Sequence, residues 1–159
     1  MTPEEAAAMA RDIYEMEWPD RGDEPLVLIV KDGIAWATSG KLHPAHLINS
    51  ILDGNAGPLP EGPWDAVALI GTAYAETHST IETAAERFGN LQAAPTPDTW
   101  HVVSVYAITG AGHVAVTWKS TINGDGTHDI DLDPFTILDH QHGVIADRLS
   151  RLARAGLIA

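Results

Sequence analysis

There is no cysteine among the 159 residues of this chain. Disulfides, thiolate nucleophiles and cysteine-based zinc sites are therefore all excluded. Positive charge is also scarce: 9 Lys and Arg stand against 22 Asp and Glu, a formal net charge of −13. A surface of that sign repels phosphate backbones, whose binding needs clustered Lys and Arg, so nucleic acid is not an expected ligand. The same charge keeps a protein soluble and admits a partner with a basic surface. Lys119, Arg148, Arg151 and Arg154 hold four of the nine basic positions, so the little positive charge is unevenly spread. No run of about 18 apolar residues occurs, so no transmembrane helix is expected. The N-terminus lacks a basic stretch followed by an apolar one, so no signal peptide is expected and the cytoplasm is the default compartment.

What the chain does have is a stretch, Trp100 to Thr121, that can be read in two ways. After a strand, Gly110-x-Gly112-x-x-Ala115 is the outline of a dinucleotide-binding loop. Between two β-rich runs, Gly110-Ala111 is instead a two-residue hairpin turn of type II′, with positive φ at Gly110. The hairpin register pairs Ala107 with Val114, Val105 with Val116 and Val103 with Trp118 on one wholly apolar face. The other face pairs Ile108 with His113, Tyr106 with Ala115, Ser104 with Thr117 and Val102 with Lys119. The nucleotide loop needs a helix near Gly112. Val114, Val116, Thr117, Thr121 and Ile122 are β-branched, and Asn123-Gly124 breaks the run early, so the hairpin is favoured.

Around this centre the elements follow in order. Thr2-Pro3-Glu4-Glu5 is a capping box opening a helix with Ala6, Met9, Ala10, Ile13 and Met16 on one stripe. The run Pro19 to Pro25 ends it. Leu26 to Thr38 forms a hairpin turning at Asp32-Gly33, the pair a type I′ turn prefers, with Val30 facing Ala35 and Ile29 facing Trp36. Both faces are apolar, so its strands are expected inside the sheet or covered on both sides. Pro44 starts a short helix with Leu47, Ile48, Ile51 and Leu52 inward, and Gly54 stops it. A loop runs from Asn55 to Pro63, and a long strand from Trp64 to Thr77. Ser79-Thr80-Ile81-Glu82 caps a further helix ending at Gly89, and Asn90 to Thr99 is irregular. Asp129 to Asp133 reads as a short acidic edge strand. Asp133-Pro134 then opens the last helical region, with Val144, Ile145, Leu149, Leu152 and Ala153 on one face and Gly156 at its end.

The candidate chemistry is thin. His43 and His46, and His140 and His142, are close pairs without a third ligand at metal-site spacing. Asp125, Asp129, Asp131 and Asp133 resemble a calcium loop in composition only, since Ile130 and Thr136 stand where Gly and Glu belong. No catalytic residues are selected, and neither a metal nor a cofactor is expected. Trp36 and Trp118 sit within strands and read as core. Trp64 and Trp100 begin strands beside Pro-rich loops, where a rigid indole suits a binding anchor. Tyr14 and Trp18 extend the first helix's face as a second candidate partner surface.

The run Ala73-Tyr74-Ala75-Glu76, the loop Pro95-Thr96-Pro97-Asp98 and the strand Val102–Val105 resemble small uncharacterised proteins of actinobacteria and their phages. The resemblance covers about Asp65 to Lys119 and lacks the Arg often found just before the last strand. It implies a cytoplasmic accessory protein. The order helix, two strands, helix, three strands, helix, with Asp32-Gly33 in the first hairpin, is similar to roadblock-type and longin-type adaptor domains. That similarity implies a dimeric adaptor.

The expectation is one α+β domain over residues 1–159. Its sheet is mainly antiparallel, of about five strands, built on two hairpins (26–38 and 100–121) with helices packed on it. The expected function is non-catalytic binding of a protein partner, through Trp64, Trp100, Tyr14 or Trp18. That partner is one with a basic surface or a second copy of the chain; nucleic acid and membrane are not expected partners. The alternative is a small nucleotide-binding enzyme using Gly110 and Gly112.

Overall fold

The computed structural model describes residues 1–22, 24–76, 99–125, 128–134, 136–138 and 144–157. The elements are α1 (Pro3–Arg21), β1 (Leu26–Lys31), β2 (Ile34–Ser39), α2 (Pro44–Leu52) and β3 (Ala66–Glu76). They continue with β4 (Thr99–Thr109), β5 (Gly112–Ile122), β6 (His128–Ile130), β7 (Thr136–Leu138) and α3 (Val144–Gly156). The strands form one antiparallel sheet in the order β2-β1-β3-β4-β5, with β6 and β7 both on the outer side of β5. The chain is thus an α+β single domain, with seven strands among the described residues rather than about five. The excess comes from the last strand, which is broken in two. Ser120 pairs with Ile130, but Thr117 pairs with Thr136, so the register slips between β6 and β7. The structure corrects the expectation that Asp133-Pro134 opens a helix: Thr136–Leu138 is a strand, and its β-branched Thr136 and Ile137 suit that state.

Each face of the sheet has its own core. Leu26, Leu28, Val30, Ala66, Ala68, Ile70, Val103, Val105, Ala107, Val114, Val116 and Trp118 lie against α1. Val27, Ile29, Val67, Leu69 and Tyr106 lie against α2 and α3, through Leu47, Ile48, Ile51, Ala146, Leu149, Leu152 and Ala153. This is the strand period of two written across the whole sheet. β1, with helices over both faces, is buried along nearly its entire length.

Both hairpins have the pairings that their sequences imply. Val30 faces Ala35 and Ile29 faces Trp36, with φ of 51° at Asp32 and 76° at Gly33, as a type I′ turn requires. All seven β4–β5 pairs expected from the central stretch occur. The turn type differs. Gly110 does not have positive φ; the glycine-favouring φ of 141° falls on Gly112. The Thr109 hydroxyl accepts from the Ala111 N–H at 3.1 Å, a side-chain-closed turn that does not need a left-handed residue at position 110.

The capping box of α1 is complete. Glu5 N–H donates to the Thr2 hydroxyl and Thr2 N–H to the Glu5 carboxylate, at 3.1 and 2.9 Å, worth roughly 1 kcal/mol. The buried face of α1 is Ala6, Ala7, Ala10, Tyr14 and Trp18, while Met16 is 73% exposed, so the stripe is rotated from the expected one. Three alanines let the helix approach the sheet, and the two aromatics fill the space beyond them. Pro19 does not stop α1, which runs on to Arg21 and closes with Gly22 N–H on the Trp18 carbonyl at 2.8 Å. No helix among the described residues is long and apolar enough to cross a membrane.

Candidate functional site

The aromatic candidates are distributed by the fold in an unexpected way. Tyr14 and Trp18 are core residues, 0% and 8% exposed, packed on each other with ring centroids 5.8 Å apart. Trp64 is 6% exposed. Its indole N–H donates to the Pro60 carbonyl at 2.7 Å, and its backbone N–H to the Gly156 carbonyl at 2.9 Å. The ring lies so close to α3 that a Cβ on Gly156 would come within 2.0 Å of it. In this structure Trp64 fixes the end of α3 to the sheet and leaves almost no ring surface for a partner. Trp64 and Trp100 stand at opposite ends of the sheet. β3 and β4 are antiparallel, with Ala66 opposite Thr109 and Ala75 opposite Trp100. Trp64 precedes one end of β3 and Trp100 lies at the other, roughly 30 Å away along the strands at about 3.3 Å per residue.

Gly110 and Gly112 flank the tip of the β4–β5 hairpin, and Gly112 opens a strand, not a helix. The nucleotide loop depends on a helix N-terminus to meet the phosphates, and that frame is not built here. A shallow cleft of about 310 Å³ does lie beside this turn, lined by Ile108, Thr109, His113, Ser150 and Arg154 among others. Tyr106, two positions before Ile108 on β4, faces Ser150, and burial pushes its phenol above the usual range. His101 and Ser120 are cross-strand neighbours joined through Nδ1 and Oγ, but neither lines this cleft.

His43 serves as the N-cap of α2, its Nδ1 accepting from the Ala45 N–H at 3.2 Å, with the His46 ring edge-on at 6.1 Å. Among the described residues no three His, Asp or Glu side chains converge as metal ligands. His140 and His142, the helix expected over 79–89 and the irregular run 90–98 lie outside the described residues. Asp129, Asp131 and Asp133 are exposed at the β6 end of the sheet.

The surface that the sequence reading passed over is β2. Among the described residues it is the terminal strand of the sheet, and five of its six residues are exposed. Trp36, expected in the core, is 49% exposed, and Ile34 is 61% exposed. Apolar residues on both faces of the first hairpin do mark an inner strand, but only β1 is inner; β2 lies past the rim of the helix layers. Ile34, Trp36 and Thr38 share the face of Ile29 and Val27, which α2 and α3 cover further in. The backbone of β2 is equally open. Val30 accepts from the Asp65 N–H at 2.7 Å, so the polar groups of Val30 point towards β3 and away from β2. Its partner Ala35 is therefore a non-hydrogen-bonded position of the β1–β2 ladder, and Ala35, Ala37 and Ser39 direct their N–H and C=O groups outward. The strand Ile-Ala-Trp-Ala-Thr-Ser has no charge and no proline, the usual guards of an edge.

Comparison with protein-family models, with curated proteins and with solved structures returns no match to this chain. The functional reading therefore rests on the geometry alone. An open, uncharged strand edge carrying an exposed indole can accept another strand, with main-chain hydrogen bonds giving affinity and alternate side chains giving selectivity.

Proposed function

We propose that this chain is a non-catalytic protein-interaction module, accessory or adaptor-like in role, that binds its partner by strand addition along β2. The exposed and unguarded β2 edge is the observation that carries the proposal. An edge of this kind is a hazard unless it is covered, and natural proteins blunt edges that have no partner. The buried tryptophans support the reading indirectly, because they leave Trp36 as the large aromatic with substantial exposure among the described side chains. The nucleotide alternative has no comparable support, since its strand-to-helix turn is replaced by a hairpin.

A photoreactive phenylalanine analogue at Ser39, an exposed position on this edge, tests the proposal in cells that make the protein. Crosslinks to protein are expected from Ser39 and not from a control at Met16, on α1. They should disappear when Ala37→Pro is added. That proline removes an outward N–H and leaves the β1–β2 ladder intact. Equal crosslinking from both positions, or none from Ser39, would overturn the reading.

A further inference from the structure

We infer that the strand received by β2 is the β2 of a second copy, the two running antiparallel about a two-fold axis through Trp36. This rests on the reading of β2 as the binding edge and adds the identity of the occupant. Self-pairing of an edge strand is tightly constrained. A two-fold axis perpendicular to the sheet keeps each side chain on its own face, so a residue can oppose only itself or a residue an even number of positions away. The outward groups of Ala35, Ala37 and Ser39 must also meet one another, because they alone are free to form hydrogen-bonded pairs.

Centring the axis on Trp36 satisfies both conditions. Ala35 then exchanges hydrogen bonds with Ala37 of the second copy, and Ala37 with its Ala35. Trp36 lies opposite Trp36 at a non-hydrogen-bonded position, where side chains approach most closely and aromatic pairs are most favourable. Ile34 lies opposite Thr38 on both sides. Ile34, Trp36 and Thr38 from each copy then form one continuous stripe, in which each exposed side chain is flanked by one from the second copy.

Charge selects a copy over a foreign strand. The six residues of β2 carry no charge, so they offer a basic peptide nothing to pair with, despite the net charge of −13. The flanking charges stand at the two ends: Lys31, Asp32 and Asp65 at the turn before β2, where the Lys31 amine is held by the Glu61 carbonyl and the Asp65 carboxylate accepts the Asp32 N–H, and Lys41 just beyond the other end. Antiparallel pairing brings the Asp32 turn of each copy beside Lys41 of the other, an opposite-charge contact made twice. A parallel arrangement would instead set like ends together. The acidic side chains of the sheet's other end, Asp129, Asp131 and Asp133, are kept far from the axis by the width of the sheet.

The interface is small, so the dimer is expected to be reversible, with dissociation on the order of micromolar. Sedimentation of the full chain over on the order of 1 to 500 µM, the range such an interface demands, should show the average mass rising from 17.0 kDa towards twice that value. Ala37→Pro should hold it at the monomer mass, and Trp36→Lys should weaken association at least about tenfold. The register is read without touching Trp36 or adding proline. Because the chain has no cysteine, Ile34→Cys and Thr38→Cys can be made singly and mixed. Facing positions lie within disulfide reach, so oxidation should link the mixture and neither variant alone.

A monomeric mass at every concentration would overturn the two-fold pairing, and Thr38→Cys chains that link to each other would overturn its axis through Trp36. A crosslink from Ser39 to a different protein, with the chain itself monomeric, would do the same while leaving the β2 edge as the binding surface. Absence of any Ser39 crosslink together with a monomeric mass would remove both.

Discussion

The two edges of the sheet are built on opposite plans. At one end β2 is a continuous six-residue strand, uncharged, with Ile34 and Trp36 exposed beside it. At the other end the strand is cut into β6 and β7, three residues each, with a register slip between them. Arg11, reaching from α1, donates to the carbonyls of Ile130 and Asp131 at 2.9 and 3.0 Å and so takes up acceptors just where the strand breaks. Asn123 donates to the Asp129 carboxylate at 2.8 Å, and Asp131 and Asp133 are exposed. Leu132, 87% exposed, stands between those two aspartates, and Ile137 is exposed on β7. Short strands, carboxylates and a capped break are devices against edge pairing. The same chain that guards one edge in three ways leaves the other with none, and the proposal of β2 as a binding edge rests on that contrast.

The sharpest contrast that follows is between two tryptophans. Trp64→Ala should cost about 3 to 5 kcal/mol, because it empties a packed site between α3 and the sheet and strands the Pro60 carbonyl. Trp36→Ala should change stability by only about 0.5 kcal/mol, as at other exposed positions, yet weaken association. Thermal melting with sedimentation on both variants separates the roles; a large stability loss at Trp36 would place it in the core after all. Gly156→Ala is the companion variant. Helix propensity gains about 1 kcal/mol, but a Cβ placed against the rigid Trp64 ring should cost about 1 to 3 kcal/mol, so net destabilisation is expected.

Much of this architecture was legible in the sequence, and the parts that were not share a cause. The Asp32-Gly33 turn, the Thr2–Glu5 capping box and every pair of the β4–β5 hairpin are set by neighbours in the chain, so local pattern reveals them. Trp36 and Trp64 exchanged roles because position across the sheet is not local. Alternation shows that Ile29 and Trp36 share a face, but not which strand of the hairpin has another beyond it. The strand directions that separate Trp64 from Trp100 depend equally on non-local pairing. β7 was missed because a three-residue strand after Asp-Pro is too short to show a period. The signal that could have found the site was there: a hairpin with two apolar strands, one of which carries no charge at all.

Arg11→Ala tests the guarded edge. Two charge-assisted hydrogen bonds and a cation–π contact with Trp118, 5.8 Å from the ring centroid, are lost together. A cost of about 1 to 3 kcal/mol is expected, with faster hydrogen exchange at the β6 amides and unchanged exchange in β1. Uniformly faster exchange across the sheet would mean that Arg11 holds the whole domain rather than its edge. Stripping the carboxylates is a milder change. Asp129, Asp131 and Asp133 replaced together by Thr should open a second site of self-association, about tenfold stronger than in the parent chain, and turn dimers into longer assemblies. If association stays as it was, the broken backbone guards that edge without help from charge.

The smallest expected effect acts on the centre of the sheet and serves as the control for both edges. Tyr106 on β4 lies between them, buried under α3. Desolvation raises its phenol above the ordinary value, opposed by the hydrogen bond with Ser150 and aided by the carboxylate of Asp147. The neutral phenol is therefore favoured in the folded chain, whereas the unfolded chain loses that proton near pH 10. Stability from this group is complete below that pH and declines as the pH rises through the folded value, because the unfolded state releases its proton first. Tyr106→Phe should flatten the alkaline limb of a stability–pH curve, measured by denaturant unfolding above about pH 10. Neither edge contains this group, so at neutral pH the variant should dimerise like the parent. An unchanged alkaline limb would mean that the phenol gains its water back on folding. Altered dimerisation would mean that α3 and the β2 edge are coupled through the sheet, and the two edges could no longer be treated as independent.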